Sequence, residues 1–246
     1  MYTLLKKIIF NTIIFFMLIT LNANATTIIA VICEKKIILA SDTRFTITKK
    51  NGEKIHDDNG KKLYKLKNGI GVAFAGDTNS IKTLRSGKDI ITKSVSTIIN
   101  DLNSLECLDE LTVAETVELI AEKYVNLLID YTGDILVVGF ENEKPVIYGI
   151  KAVKGRAIWQ GISGKGSFWA IGSGSEMMIK KLRENVGCEK DNNKDSCMEH
   201  LKGLKDKEIL SVIKESLQEV IDDYENNYRE EERSTGGKVD TLIIKP

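Results

Sequence analysis

The sequence predicts an α+β domain in which antiparallel sheets stack on one another and are covered by helices. Two observations carry this: short β-branched apolar runs arrive in pairs joined by tight turns, and amphipathic stretches of helical period arrive in pairs between them, so the pattern is not a βαβ alternation. A third is length. The chain has 246 residues, enough for one substantial domain with a buried core.

The first segment stands apart from that domain. Met1 to Lys7 is short and basic, Ile8 to Leu21 is mostly apolar, and Ala23-Asn24-Ala25 supplies small residues of the kind signal peptidase prefers. This is the three-part layout of an export signal. A retained membrane anchor fits less well, because the apolar run covers 14 residues and is interrupted by Asn11, whereas a span needs about 20. The expected organisation is a signal peptide at 1–25 and a single domain at 26–246, with export to a periplasmic or extracellular space and no stable anchor after cleavage. Lys6 and Lys7 leave with the signal, so the mature chain carries 33 basic against 35 acidic residues. That near-neutral balance gives no electrostatic case for nucleic-acid binding. His56 and His200 are too few and too far apart to suggest a metal site, no paired Cys motif with zinc spacing is present, and no cofactor is implied.

Thr27–Cys33 and Lys36–Ser41 read as a hairpin turning at Glu34-Lys35. Residues 47–61, with Asn51-Gly52, Asp57-Asp58 and Asn59-Gly60, read as a turn-rich connection. Lys62–Leu66 and Ile70–Ala75 form a second strand pair. From Thr78 to about Asn100, Ile81, Leu84, Ile90, Ile91, Val95 and Ile98 recur with roughly helical spacing, and Thr112–Asp130 does so more cleanly. Asp134–Phe140 and Pro145–Ile150 form a third strand pair, and Phe168–Ile171 a further strand. Ser175 is placed to cap a helix running to about Val186, a longer helix covers roughly Lys205–Tyr228, and Thr241–Ile244 closes the chain as a strand.

Four cysteines remain in a chain addressed to an oxidising space. Cys188 and Cys197 bracket one polar stretch that reads as a loop a disulfide can close, contributing up to about 2–3 kcal/mol. Cys33, at the end of an apolar run, is expected to pack as a small hydrophobe. Nothing in the sequence decides the state of Cys107.

The chemistry begins at the predicted cleavage junction. Removal of residues 1–25 starts the protein at Thr26, and a threonine with a free α-amine carries a nucleophilic hydroxyl and a potential base in one residue. An ordered set of motifs follows: Thr26-Thr27-Ile28-Ile29-Ala30-Val31, Ile38-Leu39-Ala40-Ser41-Asp42-Thr43-Arg44, Asn59-Gly60-Lys61-Lys62, Ala73-Phe74-Ala75-Gly76-Asp77, Gly172-Ser173-Gly174-Ser175 and Ser234-Thr235-Gly236-Gly237. In this order they resemble proteasome β subunits and related bacterial threonine peptidases, across nearly the whole of 26–246. The resemblance implies the four-layer αββα sandwich of N-terminal-nucleophile hydrolases. It also implies Thr26 as nucleophile, Asp42 as acidic partner and Lys62 as catalytic lysine, reached through a loop about four residues longer than is typical. Gly76 takes the place of the oxyanion glycine and Ser173 that of the serine near the threonine amine. Glu232 and Thr235 stand where the family has an aspartate and a serine, and Thr46 and Phe74 fall on substrate-binding positions.

Each residue type suits such a role. An ammonium beside the threonine favours its deprotonated forms, an aspartate holds that ammonium in place, and a glycine lets backbone approach substrate closely. Glu232 departs from the pattern by one methylene and belongs to the acidic run Glu230-Glu231-Glu232, which reads equally as a solvated face. The resemblance implies hydrolysis of peptides or loosely folded proteins in a homo-oligomeric ring. The alternatives are a small-molecule amidase or acylase of the same mechanism, and an inactive structural ring subunit.

Overall fold

The computed structural model describes residues 26–48, 54–76, 79–83, 89–127, 132–153, 155–188, 194–229 and 233–246. The proposed signal at 1–25, Asp77 and Glu232 lie outside the described residues. Two antiparallel sheets carry the fold. Sheet I is built from β1 (Ile28–Ile32), β2 (Ile37–Asp42), β12 (Phe168–Ile171) and β13 (Val239–Ile244), in the order β12-β1-β2-β13. Sheet II is built from β5 (Leu63–Lys65), β6 (Gly71–Gly76), β9 (Thr132–Glu141), β10 (Lys144–Val153) and β11 (Arg156–Ser163), in the order β11-β10-β9-β6-β5.

The unbroken apolar runs of β1 and β2 follow from burial on both faces. Because successive side chains point to opposite sides of a strand, Ile29, Val31, Ile38 and Ala40 enter one core cluster, and Ile28, Ala30, Ile32, Ile37 and Leu39 enter another. The first cluster is completed by helices α3 (Ser175–Asn185), α4 (Lys194–Gly203) and α5 (Asp206–Asn227). The second is completed by Leu63, Ala73, Ala75, Leu136, Val138 and Ile147 of sheet II. The opposite face of sheet II, with Val72, Phe74, Ile135 and Val137, packs with α1 (Val95–Asn103) and α2 (Val113–Leu127) in a third cluster. Helix α2 starts on a reciprocal cap: the Glu115 carboxylate accepts the Thr112 N–H at 2.8 Å, and the Thr112 hydroxyl accepts the Glu115 N–H at 3.2 Å.

Several expectations are corrected. Part of the stretch read as a turn-rich connection is a strand pair, β3 (Phe45–Thr48) with β4 (Lys54–Asp57). The helix expected from Thr78 is a second pair, β7 (Asn79–Thr83) with β8 (Asp89–Ser94), and helix begins only at Val95. Its isoleucines and threonines suit a pleated strand as well as they suit a helix face. Gly174, not Ser175, holds the N-cap of α3, and Ser175 is its first helical residue. Strand β11 was not anticipated.

The Cys188–Cys197 loop is also different. Residues from Lys194 onward are helical, so Cys197 sits on α4, and both cysteines are buried, free thiols in the cluster beneath sheet I. The two groups are in hydrogen-bond contact, and burial pushes the Cys197 thiol up to about 12. Cys33 packs in the same cluster, as expected, and burial likewise pushes its thiol up to about 12. Cys107 is exposed.

Candidate active site

The site lies where β1 begins and β2 ends. Thr26 is buried just ahead of β1, and antiparallel pairing sets Ile28 opposite Ser41, which delivers Asp42 beside Thr27. The Asp42 carboxylate is fully buried and accepts four N–H donors. Its Oδ1 takes the Thr27 N–H at 2.7 Å and the Lys62 ammonium at 2.9 Å; its Oδ2 takes the Arg44 and Gly236 backbone N–H groups, each at 3.2 Å. A carboxylate stripped of water is tolerated only when its lone pairs are satisfied in this way.

Lys62 is equally buried, with no exposed side-chain surface. The Asn59-Gly60 turn explains how it gets there. The Gly60 N–H donates to the Thr43 carbonyl at 2.8 Å, and a Cβ on Gly60 would lie 2.3 Å from the Phe45 ring, so only glycine lets that ring close down. The Lys62 ammonium in turn stands 5.5 Å from the Phe45 ring centroid, a cation–π distance. Burial pushes the Lys62 ammonium down and the Asp42 carboxyl up, while each partner's charge opposes the other's shift. Lysine is thereby easier to deprotonate than in water and remains aimed by its partner.

Thr235 is buried, and its hydroxyl is 2.9 Å from that of Thr27. Gly174 makes room for this contact, since a Cβ there would lie 2.0 Å from the Thr27 hydroxyl oxygen. Replacing Thr235 with valine preserves shape but leaves the buried Thr27 hydroxyl without this partner. The expected cost is about 1–3 kcal/mol, read as a lower midpoint in urea denaturation; an unchanged midpoint would contradict the contact's importance.

Gly76 ends β6 at φ +99°, a conformation open to glycine at little cost. Ser173 lies in the turn after β12 and is exposed. Thr46 is half-buried on β3, its hydroxyl 3.1 Å from His56 Nδ1. Phe74 is 1% exposed and packs against the rings of Tyr64 and Tyr124, in the cluster between sheet II and its helices.

Sequence reasoning missed the support around these groups. Arg44 is buried and forms a two-pronged pair with Asp58 at 2.6 and 2.9 Å, with Glu225 of α5 at 3.3 Å. Its guanidinium lies on Gly236, where a Cβ would come within 2.2 Å of Cζ, and so fixes the segment that donates to Asp42. Bonding to Arg44 holds the Asp58 carboxyl below its usual range, so the pair persists into acid. In the sequence Arg44 and Gly236 stand within two of the ordered motifs and Asp58 beside the Asn59-Gly60 turn, but nothing there brings the three together.

A threonine pair thus stands at the head of a buried strand, beside a desolvated lysine–aspartate couple, in an α+β fold. The family model described as Proteasome subunit matches residues 22–230, and the chain belongs to the proteasome subunit family. The match ends before Thr235 and Gly236, which join the site through β13 and the segment ahead of it. No curated protein matches the chain.

Proposed function

We propose that the chain is an exported, proteasome-like threonine peptidase whose nucleophile is created when its signal peptide is removed after Ala25. The observation that carries this reading is the fully buried Lys62–Asp42 pair directly beside Thr27, the neighbour of Thr26. Thr27 is pinned through both its N–H and its hydroxyl, which favours Thr26 as the free nucleophile.

In the mechanism, the α-amine of Thr26, directly or through a water, takes the hydroxyl proton as Oγ attacks the substrate carbonyl carbon. The Lys62 ammonium favours the deprotonated hydroxyl and amine. Charge developing on the carbonyl oxygen is met by the Gly76 N–H, a type of contact worth about 2.7–4 kcal/mol. The C–N bond then breaks, the leaving amine receives the proton, and an acyl ester remains on Thr26. Water then loses a proton to the same amine as it attacks the acyl carbon; the ester C–Oγ bond breaks, the amine returns the proton to Thr26 Oγ, and the carboxylic acid product leaves. Ser173, Glu232 and Thr235 are assigned to the surroundings of the amine, and Thr46 to the strand that receives the substrate. Phe74 leaves a shallow pocket that favours small or medium apolar side chains, by about 1–3 kcal/mol.

The three core clusters support a four-layer αββα sandwich, and family membership supports assembly into a homo-oligomeric ring. Export removes the protein from ATP, so peptides and loosely folded chains are the expected substrates. In that oxidising space Cys188 and Cys197, already in contact, are expected to bridge.

One experiment on protein purified from the exported fraction tests this reading: N-terminal sequencing, size measurement, and intact-mass labelling with a threonine-reactive electrophile. A ring-sized particle starting at Thr26, with one label per chain, is expected. Intact mass also registers the bridge as two missing hydrogens. Active enzyme beginning at any other residue would sink the mechanism, and an active monomer would favour a small-molecule amidase.

A further inference from the structure

Asp42 and Lys62 stand at the two feet of one hairpin. Phe45, the first residue of β3, follows Asp42 by three positions, and Lys62 follows Asp57, the last residue of β4, by five. Pairing of β3 with β4 sets Phe45 opposite Asp57, in a two-stranded sheet of its own. Below that point the hairpin is zipped shut: the Thr43 hydroxyl donates to the Asp58 carbonyl at 2.6 Å, and the Gly60 N–H to the Thr43 carbonyl at 2.8 Å. The Phe45 ring is thereby pressed onto Gly60 and its centroid brought 5.5 Å from the Lys62 ammonium, which donates to Asp42 Oδ1 at 2.9 Å. Phe45 is half-buried and Lys62 fully buried, so the ring is a part of the lysine's cover that itself meets solvent.

We propose that Phe45 is a positioning residue for Lys62: its ring closes the pocket over the ammonium and supplies the second electron-rich contact that holds it against Asp42. The proposal rests on the reading of Lys62 as the lysine that serves Thr26. An ammonium has three donors, and a ring face attracts a cation most strongly where water is excluded. A leucine at this place would exclude water too, but it has no electron-rich face. Burial pushes the Lys62 ammonium down; the charges of Asp42 and Asp58 oppose that shift, and the charge of Arg44 adds to it. The ring acts with the carboxylates, because it favours the charged form. Its contribution therefore falls on the proton that Lys62 must keep in order to favour a deprotonated Thr26, and on the direction in which the ammonium is held.

The test compares Phe45→Leu with replacement of Phe45 by pentafluorophenylalanine, which nearly keeps the ring's shape but removes its negative face. The readouts, on the mature protein, are the pH profile of peptide turnover and the titration of Lys62 followed by NMR of isotope-labelled lysine. In the mechanism above the charged lysine is the active form, so turnover falls at high pH as Lys62 loses its proton. Both replacements are expected to move this alkaline limb, and the Lys62 titration with it, about 0.5–1 pH unit lower. At the optimum, kcat is expected to fall about 3–30-fold with KM within about threefold. An unchanged or raised limb and titration in both proteins would overturn the proposal. So would a shift with leucine alone, which would assign Phe45 to packing only. Should Phe45→Leu not fold, the fluorinated protein decides by itself. Should wild type show no turnover, the reading of the site fails, while the Lys62 titration still decides whether the ring holds its charge.

Discussion

Lys62→Met is expected to lower peptide turnover by about 10²–10⁴-fold and stability by about 3–5 kcal/mol. The two losses have one origin. With the ammonium gone, the fully buried Asp42 keeps its three backbone donors but has lost its countercharge. Removing one member of a buried pair leaves an uncompensated charge, whereas removing both often costs little. Adding Asp42→Asn to Lys62→Met should therefore recover part of the stability while leaving the protein inactive. Urea denaturation of the two single variants and the double variant supplies the coupling energy, and turnover is measured on the same samples. Retained turnover in Lys62→Met would remove lysine from the chemistry; a fully additive cycle would remove the pair from the stability account.

Thr26→Ala is expected to be trimmed and exported normally and to lose turnover by about 10⁶-fold, the scale of nucleophile removal from serine hydrolases. Alanine keeps a small residue after the cleavage site, so processing by signal peptidase is unaffected. This separates the present reading from self-activation, in which the same substitution would also stop maturation. Making Ala23 and Ala25 bulky should give the reciprocal result: a complete Thr26 that stays acylated by the preceding chain and is inactive. Mass analysis of both proteins decides the matter. An uncleaved Thr26→Ala precursor would show that the chain processes itself.

The sequence was most legible where one strand's pattern stood alone. Phe168–Ile171 is bounded in the structure as read, and the β1–β2 hairpin turns at Glu34-Lys35. It was least legible where two structures share a pattern. The isoleucines between 81 and 98 fit a helical period approximately, yet they belong to a strand pair followed by a helix. Helix α4 begins in polar turn chemistry at Lys194 and was hidden by it. At the site, Asp42 and Lys62 were found through motifs that lie in single stretches. Arg44 and Gly236 stand in those motifs too, but their roles were not legible there, because they depend on contacts with distant segments: Gly236 donates to Asp42 across 194 positions.

That long separation also bears on when the protein can become active. Synthesis runs from Thr26 towards Gly236, so the carboxylate that holds Lys62 and the hydroxyl that meets Thr27 both wait on segment 234–237 and on β13 docking beside β2. Closing contacts of such length is slow. On the function proposed above, a half-folded chain thus lacks the surroundings that would arm Thr26 even after its amine is freed, and the order in which its own ends meet would add a second restraint to the attached signal.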